Sequence, residues 1–182
     1  MVMEGKTEDR RVCIIGAGMS GLLATKYLLS RNLKPTVFEA KQGIGGLWRE
    51  TFSSTKLQTS HPAFEFTDFP WPSHVTNQFP THSEVLDYFQ SYAMHFGLLD
   101  YIHFNCKVAE IRYIGQEYCE NSLEHAGLWG KNGGPYVNNA VCEVGVQKSN
   151  GESTEVETDR GYNIVVSFYA WYQLINHFNQ IS

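Results

Sequence analysis

The sequence has no long run of charge of one sign. Its 182 residues carry 14 lysines and arginines against 19 aspartates and glutamates, and the resulting net charge of −5 is spread along the whole chain. Without a basic stripe or a polybasic cluster, the chain offers no electrostatic surface for nucleic acid or for an anionic membrane. Nucleic acid is therefore not expected as a partner.

Cysteines are few and far apart. The four of them form no C-x-x-C pair, and the seven histidines form no H-x-x-x-H or H-E-x-x-H pair. These absences exclude the usual patterns of a zinc site or a disulfide framework. The sequence predicts no metal, and it predicts reduced core thiols in an intracellular compartment. The cysteines are Cys13, Cys106, Cys119 and Cys142.

No apolar segment is long enough to cross a bilayer. The most apolar stretch, residues 164–178, is 15 residues long and is interrupted by polar side chains, whereas a membrane helix needs about 20. The N-terminal MVMEGKTEDRR has no apolar core of a signal peptide. We therefore expect an intracellular, cytoplasmic protein without a transmembrane segment, and the sequence does not indicate its oligomeric state.

The sequence is otherwise that of a folded globular protein, and its clearest motif lies near the N-terminus. Residues 13–22 read CIIGAGMSGL, in which Gly16, Gly18 and Gly21 fit the G-x-G-x-x-G pattern. A short apolar run, residues 12–15, precedes the glycines and predicts a buried strand. Apolar residues at helical spacing follow as far as Ser30. The glycines therefore stand between a strand and a helix, as a dinucleotide-binding βαβ unit requires.

An acidic residue ends the second predicted strand. Thr36, Val37 and Phe38 are followed by Glu39, which lies 18 residues after Gly21. This spacing suits a carboxylate that binds ribose hydroxyls, and its charge would repel a 2′-phosphate. The unit thus favours FAD or NAD over NADP. A glycine-rich turn without a ligand remains the structural alternative.

The loop after Glu39 favours FAD, because AKQGIGGLWRETF has the glycines to lie along a long ligand and no immediate third strand. With this loop, five motifs stand in order: GAGMSG, VFEA, GIGGLWR, TKLQTS and FTDFPWP. Together they resemble the N-terminal part of the flavin-containing monooxygenases, especially the plant branch. The resemblance extends from about Arg11 to about Val166.

The resemblance implies an α/β fold and a domain organisation. It predicts a Rossmann-like FAD-binding βαβ unit with a parallel sheet and a small antiparallel β insertion. The chain would be an incomplete version of a flavoprotein with two dinucleotide-binding domains. We expect a flexible N-terminus over residues 1–10, a partial FAD-binding domain over 11–166 and a divergent, truncated C-terminal tail over 167–182, derived from an alternative transcript end.

The resemblance also assigns residues to FAD. The positions that match the pyrophosphate loop are Gly16, Gly18, Met19, Ser20 and Gly21, and Glu39 matches the acid at the ribose. A second flavin-contacting segment is matched by Gly45, Gly46, Leu47 and Trp48. Residues 56–59, which include Thr59, match the stretch along the flavin ring, and Val108 matches a position at the adenine. Many family members have a catalytic asparagine after that threonine, and this chain has Ser60. A serine hydroxyl can still donate one hydrogen bond to an oxygenated flavin.

Further elements are predicted from local patterns. A helix over Glu84–Phe96 would begin at an N-cap Ser83 and end at Gly97. Strands are expected over 101–114, 136–148 and 155–168, with a hairpin turn at Asn150-Gly151 and a loop over 127–135. The aromatic-rich residues 64–72 are either a wall beside the flavin or a packed surface loop.

Three functions fit these observations. The first, from the resemblance, is an NADPH-dependent monooxygenase that forms a C4a-hydroperoxyflavin with molecular oxygen and oxygenates a small nitrogen- or sulfur-containing nucleophile. The second is a non-catalytic FAD-binding fragment, because the NADPH domain of the family is absent from this sequence. The third is an NAD-linked or other FAD oxidoreductase that shares only the βαβ unit.

Overall fold

The computed structural model describes residues 11–114, 141–149 and 154–166. Three short 3₁₀ turns join the longer elements, at Gly46–Arg49, His61–Phe64 and Leu99–Tyr101. The strands and helices are β1 (Arg11–Ile15), α1 (Met19–Ser30), β2 (Lys34–Phe38), α2 (His82–His95), β3 (Ile102–His103), β4 (Cys106–Ile114), β5 (Val141–Ser149) and β6 (Thr154–Val166).

The strands form one six-stranded mixed sheet in the order β3-β2-β1-β6-β5-β4. β6 belongs to both parts of it: its C-terminal end pairs in parallel with β1, and its longer first part pairs antiparallel with β5. Gly161, with φ of +86°, lies at the irregularity where β6 changes partner. The expected parallel unit and antiparallel insertion are therefore both present, joined through β6.

The predicted βαβ unit is confirmed. Val12, Cys13 and Ile14 in β1 are at most 1% exposed, and β1 pairs in parallel with β2 from Arg11 opposite Lys34 to Ile15 opposite Phe38. A strand buried on both faces needs the continuous apolar run that the sequence shows. Both strands therefore end at the same edge of the sheet, where α1 begins.

α2 begins earlier than predicted. Thr81, and not Ser83, is the N-cap: its Oγ1 accepts a hydrogen bond from the Glu84 backbone N–H (3.3 Å), and Glu84 Oε2 accepts one from the Thr81 N–H (2.7 Å). This capping box satisfies two amide groups reciprocally, which a serine at position 83 could not do. The helix ends as expected before Gly97, whose φ is +62°.

The single strand predicted over 101–114 is in fact two strands. The chain turns at Asn105, whose φ of +55° is incompatible with an extended strand, so that β3 pairs with β2 while β4 pairs with β5. The other two predicted strands are present as β5 and β6. The predictions for residues 1–10, 127–135, 136–140, 150–151 and 167–182 fall outside the described residues.

The aromatic-rich stretch packs against α2. Trp71 stacks on Tyr88 with ring centroids 4.0 Å apart, and Phe66, 3% exposed, lies 4.0 Å from the Tyr92 ring. This observation supports the packed-loop alternative for these two residues. Within the part of the chain that is described, no helix has the length and apolar composition to cross a membrane.

Candidate cofactor site

The turn between β1 and α1 is shaped by Gly16. Its φ of +92° lies in the region that favours glycine, and its N–H donates to the carbonyl oxygen of Phe38 at the end of β2 (2.9 Å). The turn therefore leaves β1 sharply and is tied to the neighbouring strand.

Gly21 brings α1 close to this turn. A Cβ at position 21 would overlap the carbonyl oxygen of Gly16 and lie 3.1 Å from its carbonyl carbon. Backbone atoms cannot give way as a flexible side chain can. Glycine is therefore required at position 21 by the close packing of the helix against the turn alone.

Gly18 is different, because nothing in the described protein requires a glycine there. Its φ of −79° and ψ of −173° are open to any residue. The nearest atom to an added Cβ would be the Gly46 Cα at 3.6 Å, an ordinary van der Waals contact. A close approach by a ligand is the physical reason for glycine that remains, and this fits a pyrophosphate against the loop backbone.

Helix α1 begins at this loop without a hydrogen bond from a capping side chain. Gly18 is the N-cap, and Met19 and Ser20 open the first turn. Among the described residues no side chain caps this end, and the first turn contains no acidic residue. The first N–H groups of a helix carry partial positive charge, so this end is suited to an anionic group.

Glu39 lies beside the same loop and is 6% exposed. Its Oε2 accepts a hydrogen bond from the Ala17 N–H (2.6 Å), and its Oε1 accepts one from the Lys41 N–H (2.9 Å). Its backbone is also fixed, since its N–H donates to His103 O (2.9 Å) and its carbonyl oxygen accepts from the Cys106 N–H (2.8 Å). The predicted ribose acid is thus positioned by β2, β3 and β4 together.

The second glycine segment closes over the first. The Gly45 N–H donates to the carbonyl oxygen of Ala17 (3.0 Å). Gly46 has φ of +54°, and a Cβ added to it would lie 3.2 Å from the Gly18 Cα. Beyond it, Leu47 is 82% exposed, whereas Trp48 is half-buried with its ring edge-to-face against Phe64 (centroids 5.9 Å apart).

The predicted flavin-ring segment follows a separate path. Lys56 forms a bridge with Thr81, just before α2, and Leu57 is buried. Thr59 is exposed, and Ser60 is half-buried at the start of the 3₁₀ turn His61–Phe64 without capping it. The role of both hydroxyls at a flavin ring stays a prediction.

Val108 lies on β4, opposite Val146 of β5, and is half-buried. It follows Cys106, whose backbone holds Glu39, by two residues. The structure therefore brings Gly16, Gly18, Gly21, Glu39 and Gly46 together directly and places Val108 on a strand that begins at the same point.

Sequence reasoning missed Ala17. It is fully buried, and its two backbone hydrogen bonds join the glycine turn to Glu39 and to Gly45. Its methyl group carries no chemistry, and the available signal was its place between the two glycines of the motif.

The described thiols are those of a protein core. Cys13, Cys106 and Cys142 are free, and burial raises the pKa of all three, that of Cys13 to about 12. They are therefore protonated and unreactive at neutral pH. Among the described residues no group of histidine, cysteine or carboxylate side chains could hold a metal ion.

Comparisons with known proteins point to one family. The sequence model described as "Flavin-binding monooxygenase-like" matches residues 9–121. The chain is 51% identical over 112 residues to "Probable flavin-containing monooxygenase 1" of Arabidopsis thaliana, a match that covers 60% of this chain and 21% of the relative. It is 43% identical over 143 residues to "Putative flavin-containing monooxygenase 2" of the same plant, covering 78% of this chain and 30% of the relative.

A solved structure has a similar fold. The S-allyl-L-cysteine S-oxygenase from Allium sativum aligns with a TM-score of 0.63 and 22% identity, covering 87% of this chain and 36% of that one. At this identity the likeness concerns the fold.

The chain covers only part of its relatives. It spans about a fifth to a third of the length of the two Arabidopsis proteins.

Proposed function

The chain belongs to the flavin-binding monooxygenase-like family, and from that premise we propose that it binds FAD through the glycine turn, Glu39 and the Gly45–Gly46 segment. The observation that carries the proposal is Gly18. The positive φ of Gly16 and the close packing at Gly21 account for glycine at those two positions, whereas a Cβ at Gly18 would meet no clash. FAD is the ligand that both the family and the geometry of this site favour.

Each part of the site has a role in this proposal. The N–H groups at the start of α1, from Gly18 through Ser20, would bind the pyrophosphate, assisted by the partial positive charge of the helix end. Glu39 would accept hydrogen bonds from the ribose hydroxyls, since a carboxylate has lone pairs beyond the two that the backbone uses. Val108 would meet the adenine with its backbone.

The flavin ring would lie towards the remaining predicted residues. Leu47 and Trp48 would exclude water from one part of it, and Thr59 and Ser60 would supply hydroxyl groups near its reactive edge. The serine hydroxyl would donate a hydrogen bond where many relatives have an amide.

Bound FAD would supply redox chemistry, in which a hydride from NADPH, one proton and one molecule of oxygen would yield water and one oxygen atom for the substrate. The substrate class that we propose is a small nucleophile with a nitrogen or sulfur centre. This substrate class is the one that the resemblance to the flavin-containing monooxygenases implies. The core thiols are in keeping with the intracellular location predicted from the sequence.

A second candidate function is FAD binding without turnover by these 182 residues. The observation that favours it is that residues 16–21 are the single G-x-G-x-x-G in the printed sequence. Without a second phosphate loop, the chain has no recognised site for NADPH. FAD binding and NADPH oxidation are therefore separate questions.

Titration of the purified chain with FAD tests the proposal. Binding should quench flavin fluorescence in a saturable manner and raise the unfolding temperature of the protein. If FAD changes neither signal, the proposed function is wrong. NADPH consumption in air, measured on the same sample, then distinguishes turnover from FAD binding alone, and a product that has gained one oxygen atom from a nitrogen- or sulfur-containing probe identifies the monooxygenase.

A further inference from the structure

Ala17 is held on both sides by segments distant in sequence. Its N–H donates to Glu39 Oε2 at 2.6 Å, and its carbonyl oxygen accepts from the Gly45 N–H at 3.0 Å. Its side chain is fully buried. The residue is thus held by Glu39 at the end of β2 and by the second glycine segment, although both of its neighbours are glycines, the residue type with the widest backbone freedom.

This arrangement determines the direction of a neighbouring amide. The peptide bond between Ala17 and Gly18 is planar and trans, so its carbonyl oxygen and its N–H point in opposite directions. With the oxygen turned towards Gly45, the N–H of Gly18 must point away from Gly45. The amide at the proposed pyrophosphate site is therefore oriented by the protein itself.

The carboxylate of Glu39 is in turn held in place. Its second oxygen, Oε1, accepts the Lys41 N–H at 2.9 Å, so the carboxylate bridges the end of β2 and the glycine turn. Hydrogen bonds to a charged acceptor are stronger than neutral ones. The stronger of the two restraints on Ala17 is therefore the one that Glu39 supplies.

We propose that Glu39 is a positioning residue, whose carboxylate holds the Gly16–Ala17 amide and so keeps the turn that carries the Ala17–Gly18 amide in its cofactor-binding position before any ligand is present. This role is additional to the ribose contact. It rests on the proposed function only in naming FAD as the ligand. Preorganisation of this kind removes an ordering cost from binding, so that Glu39 would contribute to affinity even for the part of FAD that it does not touch.

Amide hydrogen exchange in the FAD-free chain tests the proposal directly. The Ala17 amide should be protected in the wild type, although it lies in a loop. Glu39→Gln should accelerate its exchange by about tenfold, the change expected from losing one charge-assisted hydrogen bond. The matched control is Glu50→Gln, the same chemical change at an exposed residue that pairs with Lys41, and it should leave Ala17 within about twofold of wild type.

Exchange at Phe89 in α2 separates this local effect from general destabilisation, since it should be the same in all three proteins. An unprotected Ala17 amide in the wild type would overturn the proposal without any variant. So would equal exchange at Ala17 in the Glu39→Gln and Glu50→Gln proteins. Because these measurements need no cofactor, they stand even if FAD fails to bind, and that failure would count against the proposed function alone.

Discussion

At the scale of single residues, Gly18 and Gly21 belong to one motif but are required for different reasons, and substitution can distinguish the two reasons. Gly18→Ala should leave the unfolding temperature of the FAD-free chain unchanged, because the new methyl group would make an ordinary contact with Gly46. It should weaken FAD binding by at least about tenfold, or about 1.4 kcal/mol, because the methyl group would stand where the pyrophosphate approaches. Fluorescence titration and thermal unfolding measure the two effects.

Gly21→Ala is the matched control, because it makes the same change three residues away in the same loop. Its methyl group would overlap the Gly16 carbonyl oxygen, so we expect a loss of about 1–3 kcal/mol in the free energy of unfolding, as for other overpacked sites. The explanation of the motif would be wrong if Gly18→Ala bound FAD as the wild type does, or if both variants destabilised the FAD-free chain equally.

Two buried tyrosines of α2 offer a second comparison. The Tyr92 hydroxyl is buried and has no hydrogen-bond partner among the described residues. Tyr92→Phe should therefore be neutral or stabilising, because it removes a polar group that loses its water on folding. Chemical denaturation of the variant measures this change.

Tyr88→Phe makes the same deletion where the hydroxyl is used. This hydroxyl accepts from the Phe66 N–H (2.8 Å) and donates to the Phe69 carbonyl oxygen. Its loss leaves a buried amide unpaired and should cost about 1–3 kcal/mol. Similar costs for the two substitutions would show that an unseen partner, such as water, satisfies Tyr92.

At the scale of elements, the start of α2 depends on the Thr81–Glu84 capping box. Thr81→Ala should lower the free energy of unfolding by about 1 kcal/mol, as N-cap deletions do. Ser83→Ala, two residues further along at an exposed side chain, should change it by less than about 0.5 kcal/mol. Denaturant unfolding of both variants decides between the N-cap seen in the structure and the one expected from the sequence.

The same box makes a prediction about pH. Hydrogen bonds from the Thr81 backbone and side chain lower the pKa of Glu84 below its ordinary value. Because the folded pKa lies below the unfolded one, the stabilisation is present above pH of about 4.3 and is lost as the pH falls through the folded pKa. The effect of Thr81→Ala on stability, measured by denaturation, should accordingly shrink in acid. An equal effect at neutral and acid pH would contradict the coupling.

The elements that sequence patterns predicted best are the local ones. β1, α1 and β2 follow each other within 28 residues, and their order and burial could be predicted from apolar periodicity and glycine spacing. The break at Asn105 and the change of partner along β6 were not predictable in the same way, since distant strands decide them. The capping box is visible in the sequence as T-H-S-E, because Thr81 has Glu84 three residues later, whereas an N-cap at Ser83 would have Leu86 in that position.

At the scale of the whole molecule, the candidate site is a product of topology. β1 and β2 end at one edge of the sheet, and this brings Gly16 to Phe38 and Glu39 to Ala17, residues 22 positions apart in each case. The sequence predicted the glycines and the acid, because their chemistry is in the residue type. It could not predict Ala17, whose role comes entirely from backbone atoms positioned by other segments.

The last prediction concerns turnover by the chain as a whole. With FAD bound, the 182 residues should oxidise NADPH no faster than free FAD does in the same buffer. Hydride transfer needs the nicotinamide held against the flavin ring, and such positioning is worth about 7–11 kcal/mol in well-oriented reactions. The sequence contains one phosphate-binding glycine motif, and FAD would occupy it.

NADPH absorbance should be followed in air with FAD alone, with the chain, and with Gly18→Ala as the variant impaired in flavin binding. Rapid oxidation by the wild-type chain that Gly18→Ala abolishes would show that these residues bind and use NADPH without a second motif, and would overturn the function of FAD binding without turnover.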